Sequence, residues 1–362
     1  MQPRQAVVAD ISRLSAIEES SFPGDRLSAR KFRHFIRSEL SELWCAGEPV
    51  NAYALILFHR GTSLARLYSI AVDPAARGQG LAQQLLLWCE QQAVKRGVLF
   101  MRLEVRQDNA HALALYKRAG YNIIRSLPDY YDDGAAGWRL EKHLSSGRRI
   151  PENLPFYAQT TPFTCGPSAL LMALQSIDYS REPDRIQELD IWREATTIYL
   201  TTGHGGCSAQ GLALAAKARG VKVSILVSDR SVPFLEGIRN EHKREVLTLV
   251  SENFQQRCDA EGVETRESQF SADELREALA EGCRVLLLIS TYRMNRNKAP
   301  HWVWLVAMDD QFAYINDPDV DEELDQVETD NLYVPVSLDN FSAMVQYGRR
   351  RYMAAVLLEA TH

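Results

Sequence analysis

Residues 68–92 read YSIAVDPAARGQGLAQQLLLWCEQQ, and the architecture of the first half of the chain turns on them. An apolar, β-prone run ends at Val72, Asp73-Pro74 makes a turn, and Gly78 and Gly80 lead into a helix with an apolar stripe. Backbone N–H groups at a helix start, helped by the helix dipole, take phosphate oxygens, and glycine lets the backbone come close to a ligand. Arg77 adds positive charge. Tight turns use the same glycine spacing, so the segment alone fits a plain turn as well as a phosphate cradle.

The flanking sequence alternates strands and helices. AVVAD (6–10) reads as a strand, ISRLSAIEESSF (11–22) and SARKFRHFIRSE (28–39) as helices, and LWCAG, NAYALILFHR and SLARLYSIAVD as successive strands. The helix from residue 80 ends at Gly97; LFMRLEV, AHALALYKRAG and YNIIRSL follow as strand, helix and strand, and GWRLEKHL as an unusually polar last strand. This is a mixed α/β pattern. Ser, Gly, Arg and Pro break the periodicity in HLSSGRRIPENLP (143–155), which places a linker at 146–155 between domains 1–145 and 156–362. The second half opens with the helix GPSALLMALQSI, has helices near 184–200, 208–219, 239–257 and 271–281 and a strand VKVSILV, and closes with RVLLLIS, HWVWLVAMD, QFAYIND and YMAAVLLE. Helices before an antiparallel sheet make an α+β domain.

Composition excludes several classes of function. The 362 residues suit two domains, and 46% apolar with 24% charged residues is ordinary globular usage. A net charge of -6 without a basic cluster argues against nucleic acid as a partner. The N-terminus lacks a signal-peptide core, and the longest apolar runs, such as VLLLI (285–289), are strand-sized; the expectation is a cytoplasmic chain with no membrane partner. Cys45, Cys89, Cys165, Cys207, Cys258 and Cys283 form no CxxC pair, which favours reduced thiols over a disulfide framework or a structural zinc, and no metal site is expected. DPDVDEELDQVETD (317–330) reads as a solvated loop or short helix.

Residues 103–121, LEVRQDNAHALALYKRAGY, place a strand, a loop and a helix after the glycine turn. Together with RGQGLA (77–82) they resemble the GNAT N-acetyltransferase superfamily over about residues 5–143, and in detail the RimI-type Nα-acetyltransferases, whose tyrosine-rich loop is similar to PDYYDDG. That resemblance implies acetyl-CoA as cofactor and a mixed central sheet. The pyrophosphate would sit on Arg77, Gly78, Gln79, Gly80, Leu81 and Ala82, with Ile70, Val72 and Asn109 along the rest of the cofactor. Glu104 would be general base through water and Tyr116 general acid. Glu104 as a plain ion-pair residue, Tyr116 as core and Asn109 as a helix N-cap stand as the structural alternatives. His111 reads as a surface residue. The implied acceptor is a peptide or protein N-terminus; spermidine, an antibiotic or a free amino acid are alternatives.

In YAQTTPFTCGPSALLMALQ (157–175), Cys165 stands where a loop turns into a helix, a place that favours thiolate. Far downstream, HWVWLVAMDDQFAYINDPD (301–319) puts His301 at the start of one strand and Asp317 at the end of the next, so a hairpin would bring them together. His301 can then act as base to Cys165, Asp317 can orient the imidazole, and the Gln159 amide can serve an oxyanion beside the Cys165 N–H. Gln-x5-Cys-Gly followed by His-x15-Asp-Pro resembles the papain-like cysteine peptidases, closest to those that process bacteriocin leader peptides, over about residues 155–358. The resemblance implies a Cys–His–Asp hydrolase; a silent peptide-binding module and a peptide-tailoring amidase or acyl transferase are the alternatives. The Gly-rich TTGHGGCSAQG (201–211) either lines the cleft or is a loop before a helix.

Overall fold

A computed structural model describes the chain except residues 1, 23, 25, 145–150, 152, 201–202, 236–237, 298, 322–325 and 361–362. The chain divides into two compact units, Met1–Arg149 and Ile150–His362. The expected linker falls largely on residues outside those described.

The first unit runs β1 Arg4–Gln5, α1 Ile11–Ser21, α2 Ala29–Arg37, β2 Ser41–Ala46, β3 Ala52–Phe58, β4 Leu64–Val72, α3 Leu81–Lys95, β5 Phe100–Arg106, α4 Ala110–Arg118, β6 Asn122–Leu127 and β7 Gly137–His143. Its mixed sheet has the order β1-β2-β3-β4-β5-β7-β6. Strands β2 and β3 are apolar almost throughout because both faces are covered. Leu85, Leu86, Cys89 and Ala93 of α3 pack on one face with Ala54, Ile56, Leu67 and Leu103. Ile11, Leu14, Ile17 and Phe32 of α1 and α2 pack on the other with Leu43, Tyr53 and Leu55.

The strand expected over AVVAD (6–10) does not form: a two-residue strand lies ahead of it at Arg4–Gln5, and Val8–Asp10 form a 3₁₀ turn instead. Asp10 explains the difference: its carboxylate takes the Val7 N–H at 2.8 Å and the Arg4 guanidinium at 2.8 Å, which bends the chain and leaves Val7 and Val8 in solvent.

One feature of the sheet matters for chemistry. Strand β3 pairs with β4 as far as Val72, but β5 pairs with β4, in parallel, only from Leu64↔Phe100 to Arg66↔Arg102. Beyond that point the two strands part. A bulge falls on β4 at the same place, since Leu55 faces Ser69 while Ile56 faces Leu67, leaving Tyr68 as the extra residue.

The polar last strand has a local explanation. Register sets Arg102 opposite Glu141 and Glu104 opposite Arg139. Arg102 and Glu141 are buried and joined at 2.8 Å, so opposite charges face each other across the strands.

The second unit runs α5 Cys165–Ile177, α6 Arg185–Ala195, β8 Tyr199–Leu200, β9 Gly203–His204, α7 Ala209–Ala218, β10 Lys222–Val227, α8 Glu241–Ala260, β11 Glu264–Glu267, α9 Ala272–Ala280, β12 Arg284–Ser290, α10 Tyr292–Asn295, β13 Pro300–Met308, β14 Phe312–Asn316, β15 Val334–Ser337, α11 Leu338–Met344 and β16 Ala354–Glu359. The main sheet has the order β11-β10-β16-β12-β13-β14-β15. It is antiparallel except that β10 and β11, joined through α8, run parallel. Helices α5 and α7 cover one face and α9 and α11 the other, so the α+β pattern holds.

The helix expected over 184–200 stops at Ala195. Thr196 and Thr197 are β-branched and suit extended backbone, and Ile198 has a φ of +73°, outside any helix; Thr196 bridges Cys207, and Tyr199 pairs with His204. The acidic stretch from 317 is not wholly solvated: Asp317 and Asp330 are buried. Among the described residues no helix is long and apolar enough to cross a membrane.

Candidate active sites

Helix α5 is buried along most of its length and lies against β12 and β13. This packing sets Cys165, the first residue of α5, beside the start of β13. The Trp302 N–H donates to the Cys165 sulfur at 3.5 Å, and the neighbouring His301 imidazole feels that sulfur electrostatically. On its far side His301 Nε2 meets Asp317 Oδ1 at 2.6 Å, which leaves Nδ1 for the sulfur. His301 and Asp317 are buried. Burial by itself disfavours a charged imidazole, but Asp317 and Cys165 outweigh it and hold the His301 pKa well above its ordinary 6.5.

The other thiols sit in a different chemistry. Burial pushes Cys45 and Cys258 up to about 12 and also raises Cys89, Cys207 and Cys283, so these five remain protonated at neutral pH.

Gln159 is held from the opposite side. Its N–H donates to the Pro318 carbonyl at 2.9 Å and its Nε2 to Asp319 Oδ1 at 2.7 Å. Asp319 also donates its own N–H to Asp317 Oδ1 at 2.9 Å. Burial raises the Asp319 pKa, the nearby His301 lowers it, and Asp317 and Asp321 raise it further.

The loop before Cys165 is anchored by a fully buried carboxylate, Glu188 of α6. Glu188 accepts from the Thr160 N–H and hydroxyl, both at 2.8 Å, from the Tyr157 hydroxyl at 2.9 Å and from the Thr164 hydroxyl. The Gly-rich loop borders the same place. The Cys207 carbonyl takes the Trp302 indole N–H at 2.9 Å, and the exposed His204 ring stacks on Phe163 at 4.4 Å.

In the first unit, Gly78 and Gly80 have φ of +78° and +76°, with nothing within 4 Å of where a Cβ would stand. Glycine is therefore needed there for backbone conformation, not for room. Among the described residues the amides of 78–83 donate to no carbonyl, and most of these residues are exposed at the start of α3. Ile70 and Val72 lie on the part of β4 that has parted from β5. The Arg77 Nε turns back to the Val72 carbonyl at 3.3 Å. Asn109 caps α4 by accepting the Ala112 N–H at 3.0 Å. Tyr116 is buried against Tyr121, which raises its pKa. Glu104 pairs with Arg66 at 2.9 Å and with Arg139, and Arg66 in turn reaches the Tyr130 hydroxyl at 2.9 Å. His111 is exposed on α4.

Residues 154–359, more than half of the chain, match the family model described as Peptidase_C39 like. The chain belongs to the Peptidase_C39-like family. Residues 11–121 match the model of the acetyltransferase (GNAT) family, so this Peptidase_C39-like chain carries a GNAT segment ahead of its main domain. Over 67 residues the chain is 45% identical to the [ribosomal protein bS18]-alanine N-acetyltransferase of Escherichia coli, across 18% of this chain and 45% of that protein. It is 31% identical over 139 residues to an uncharacterised protein of Mycobacterium leprae, across 35% of this chain and 36% of the other. The chain thus spans less than half the length of the curated relatives it matches. A crystal structure of the ribosomal-protein-S18-alanine N-acetyltransferase from Escherichia coli aligns at 28% identity and TM-score 0.37, over 43% of this chain and 99% of that one.

In the Peptidase_C39-like domain the structure brings Cys165, His301, Asp317 and Gln159 together. Asp319 and Glu188 complete the cluster, and sequence reasoning singled out neither. A signal existed for Glu188: it shares the buried face of α6 with Ile191 and Ala195, so an acidic side chain interrupts an apolar stripe. Asp319 offered no periodic signal, because it lies in a loop. In the GNAT segment the glycine turn, Ile70 and Val72 frame the gap between β4 and β5. Glu104 joins a buried ion-pair cluster, and Tyr116 stands in the core.

Proposed function

We propose that this chain couples two chemistries: hydrolysis of a peptide amide by Cys165, His301 and Asp317, and transfer of an acetyl group to an amine, in the first place a peptide or protein N-terminus. The observation that carries the first is the buried His301–Asp317 pair at 2.6 Å set beside the Cys165 sulfur, which the neighbouring Trp302 N–H holds at 3.5 Å. Cys165 would attack the amide carbon as thiolate, forming a carbon–sulfur bond while the carbonyl electron pair moves to oxygen. The Cys165 N–H and the Gln159 amide would hold that oxygen. His301 would give its proton to the leaving amine, and water, deprotonated by the imidazole, would then release the acyl group.

For the second chemistry, acetyl-CoA fits the residues present: unpaired amides at 78–83 suit its pyrophosphate, and the parted edges of β4 and β5 offer backbone groups to its arm. Bound there, it would supply an acetyl thioester. Arg77 would add charge at the cradle, Asn109 would border the arm while capping α4, and the Tyr116 hydroxyl would serve the departing sulfur. Glu104 would receive the proton of the acceptor amine through water, from within its pair of guanidinium groups. The match of residues 11–121 and the identity to bS18-alanine acetyltransferases support this reading. Cleavage would expose a new N-terminus, which the other site would acetylate.

Mass spectrometry of peptides incubated with the chain and acetyl-CoA tests the coupling. The expected product is a fragment cleaved and acetylated at its new N-terminus. Cleavage with no acetylated fragment would remove the coupling, and no cleavage at all would leave a peptide-binding domain beside an acetyltransferase.

A further inference from the structure

We infer that Asp319 is the positioning residue of the oxyanion donor: its carboxylate fixes the Gln159 amide so that an N–H faces the carbonyl oxygen attacked by Cys165. The inference rests on the hydrolase reading above and adds a residue to it.

Gln159 can present either end of its amide. Its Oε1 is buried and accepts no hydrogen bond among the described residues, so nothing described on that side decides the orientation. Asp319 decides it. An ionised carboxylate only accepts, so the NH2 group must turn toward Asp319 Oδ1, 2.7 Å away. One N–H is used there, and the second remains for substrate oxygen. The backbone grips the same residue, since the Gln159 N–H holds the Pro318 carbonyl at 2.9 Å.

Asp319 is itself tied on two sides. Its N–H holds Asp317 Oδ1 at 2.9 Å, and its carbonyl accepts from Asn331 Nδ2 at 2.6 Å. A single residue thus links the donor to the carboxylate behind His301. The link to Asp317 is made by backbone, so a side-chain substitution at 319 leaves it in place. Position 319 can therefore be altered at the oxyanion donor while the Cys–His–Asp contacts persist.

Two probes separate these functions on the full chain. Iodoacetamide alkylates a thiolate by displacement and builds no oxyanion. p-Nitrophenyl acetate acylates it through an attack in which the carbonyl pair moves to oxygen; the carbon–oxygen bond to the aryl group then breaks and nitrophenolate leaves. Removing an oxyanion donor costs roughly 10²–10³ in rate. Asp319→Ala is expected to slow the nitrophenolate burst by about tenfold or more while the alkylation of Cys165 stays within about threefold of wild type. Asp319→Asn keeps an acceptor oxygen and removes a negative charge near the developing oxyanion, so it is expected to acylate within about threefold of wild type. Combining Asp319→Ala with Gln159→Ala is expected to slow acylation no more than Gln159→Ala alone.

An unchanged burst in Asp319→Ala would overturn the inference, as would losses that add in the double variant. Equal loss of alkylation and acylation in both 319 variants would overturn it too, because Asp319 would then hold the whole site. A wild-type burst that survives Cys165→Ala would sink the hydrolase reading itself, and the inference with it.

Discussion

At position 301 a buried imidazole pairs with a carboxylate beside the Cys165 sulfur, and in the proposed hydrolase its charge state would set the pH range of the site. Burial lowers the His301 pKa, but Asp317 and Cys165 raise it by more, so the folded value lies above 6.5. The sign follows: the charged pair contributes stability fully below the unfolded value and loses it as pH rises through the folded one. Asp317→Asn removes the larger raising influence. Its alkylation profile is therefore expected to lose the imidazolium-assisted reaction of Cys165 at lower pH than wild type; coincident profiles would deny Asp317 that role. In the first unit, Glu104→Gln is expected to lower kcat for acetyl transfer by about 10²–10⁴. If melting temperature falls and kcat does not, Glu104 is an ion-pair residue only. The four residues proposed for the hydrolase site were legible because residue type and order carried them: a glutamine six positions ahead of a cysteine at a helix start, then histidine and aspartate at the facing ends of a hairpin. Asp319 and Glu188 were not, since each acts through a tertiary contact that no local pattern announces.

At the scale of elements, the loop 157–164 is fixed by one buried carboxylate from another helix. Glu188→Ala would leave the Thr160 N–H and three hydroxyls without their acceptor. Thr160 is exposed and the Thr164 hydroxyl keeps the Thr161 carbonyl at 3.0 Å, so a loss of about 1–3 kcal/mol in denaturant unfolding is expected, and a loss below about 0.5 would contradict the anchoring role. Helices α6 and α7 meet closely at Gly211, where an added Cβ would stand 2.5 Å from the Ala195 carbonyl oxygen. That neighbour is backbone and cannot swing aside, so Gly211→Ala is expected to destabilise by about 1–3 kcal/mol. The long periodic helices and apolar strands of both units were readable from sequence. Short elements were not. β11 is the polar, partly exposed ETRE, whose strand character comes from pairing with β10, and the turn at Val8–Asp10 comes from one aspartate capping its own backbone.

For the whole molecule, each unit has its own hydrophobic cores, and acetyl-CoA has its proposed place in the first. Acetyl-CoA at about a hundredfold its Kd is then expected to stabilise the transition of the first unit by about 2.7 kcal/mol and to leave that of the second unmoved. A shift of the second transition alone would place the nucleotide in the wrong domain. The central claim is that Cys165 is the nucleophile of the Peptidase_C39-like domain. Limiting iodoacetamide at neutral pH, followed by peptide mass spectrometry of wild type and His301→Ala, tests it most directly. The adduct is expected at Cys165 ahead of the other five thiols, with a rate at least about tenfold lower without the imidazole. Label spread evenly over the six cysteines, or a Cys165 rate indifferent to His301, would contradict it.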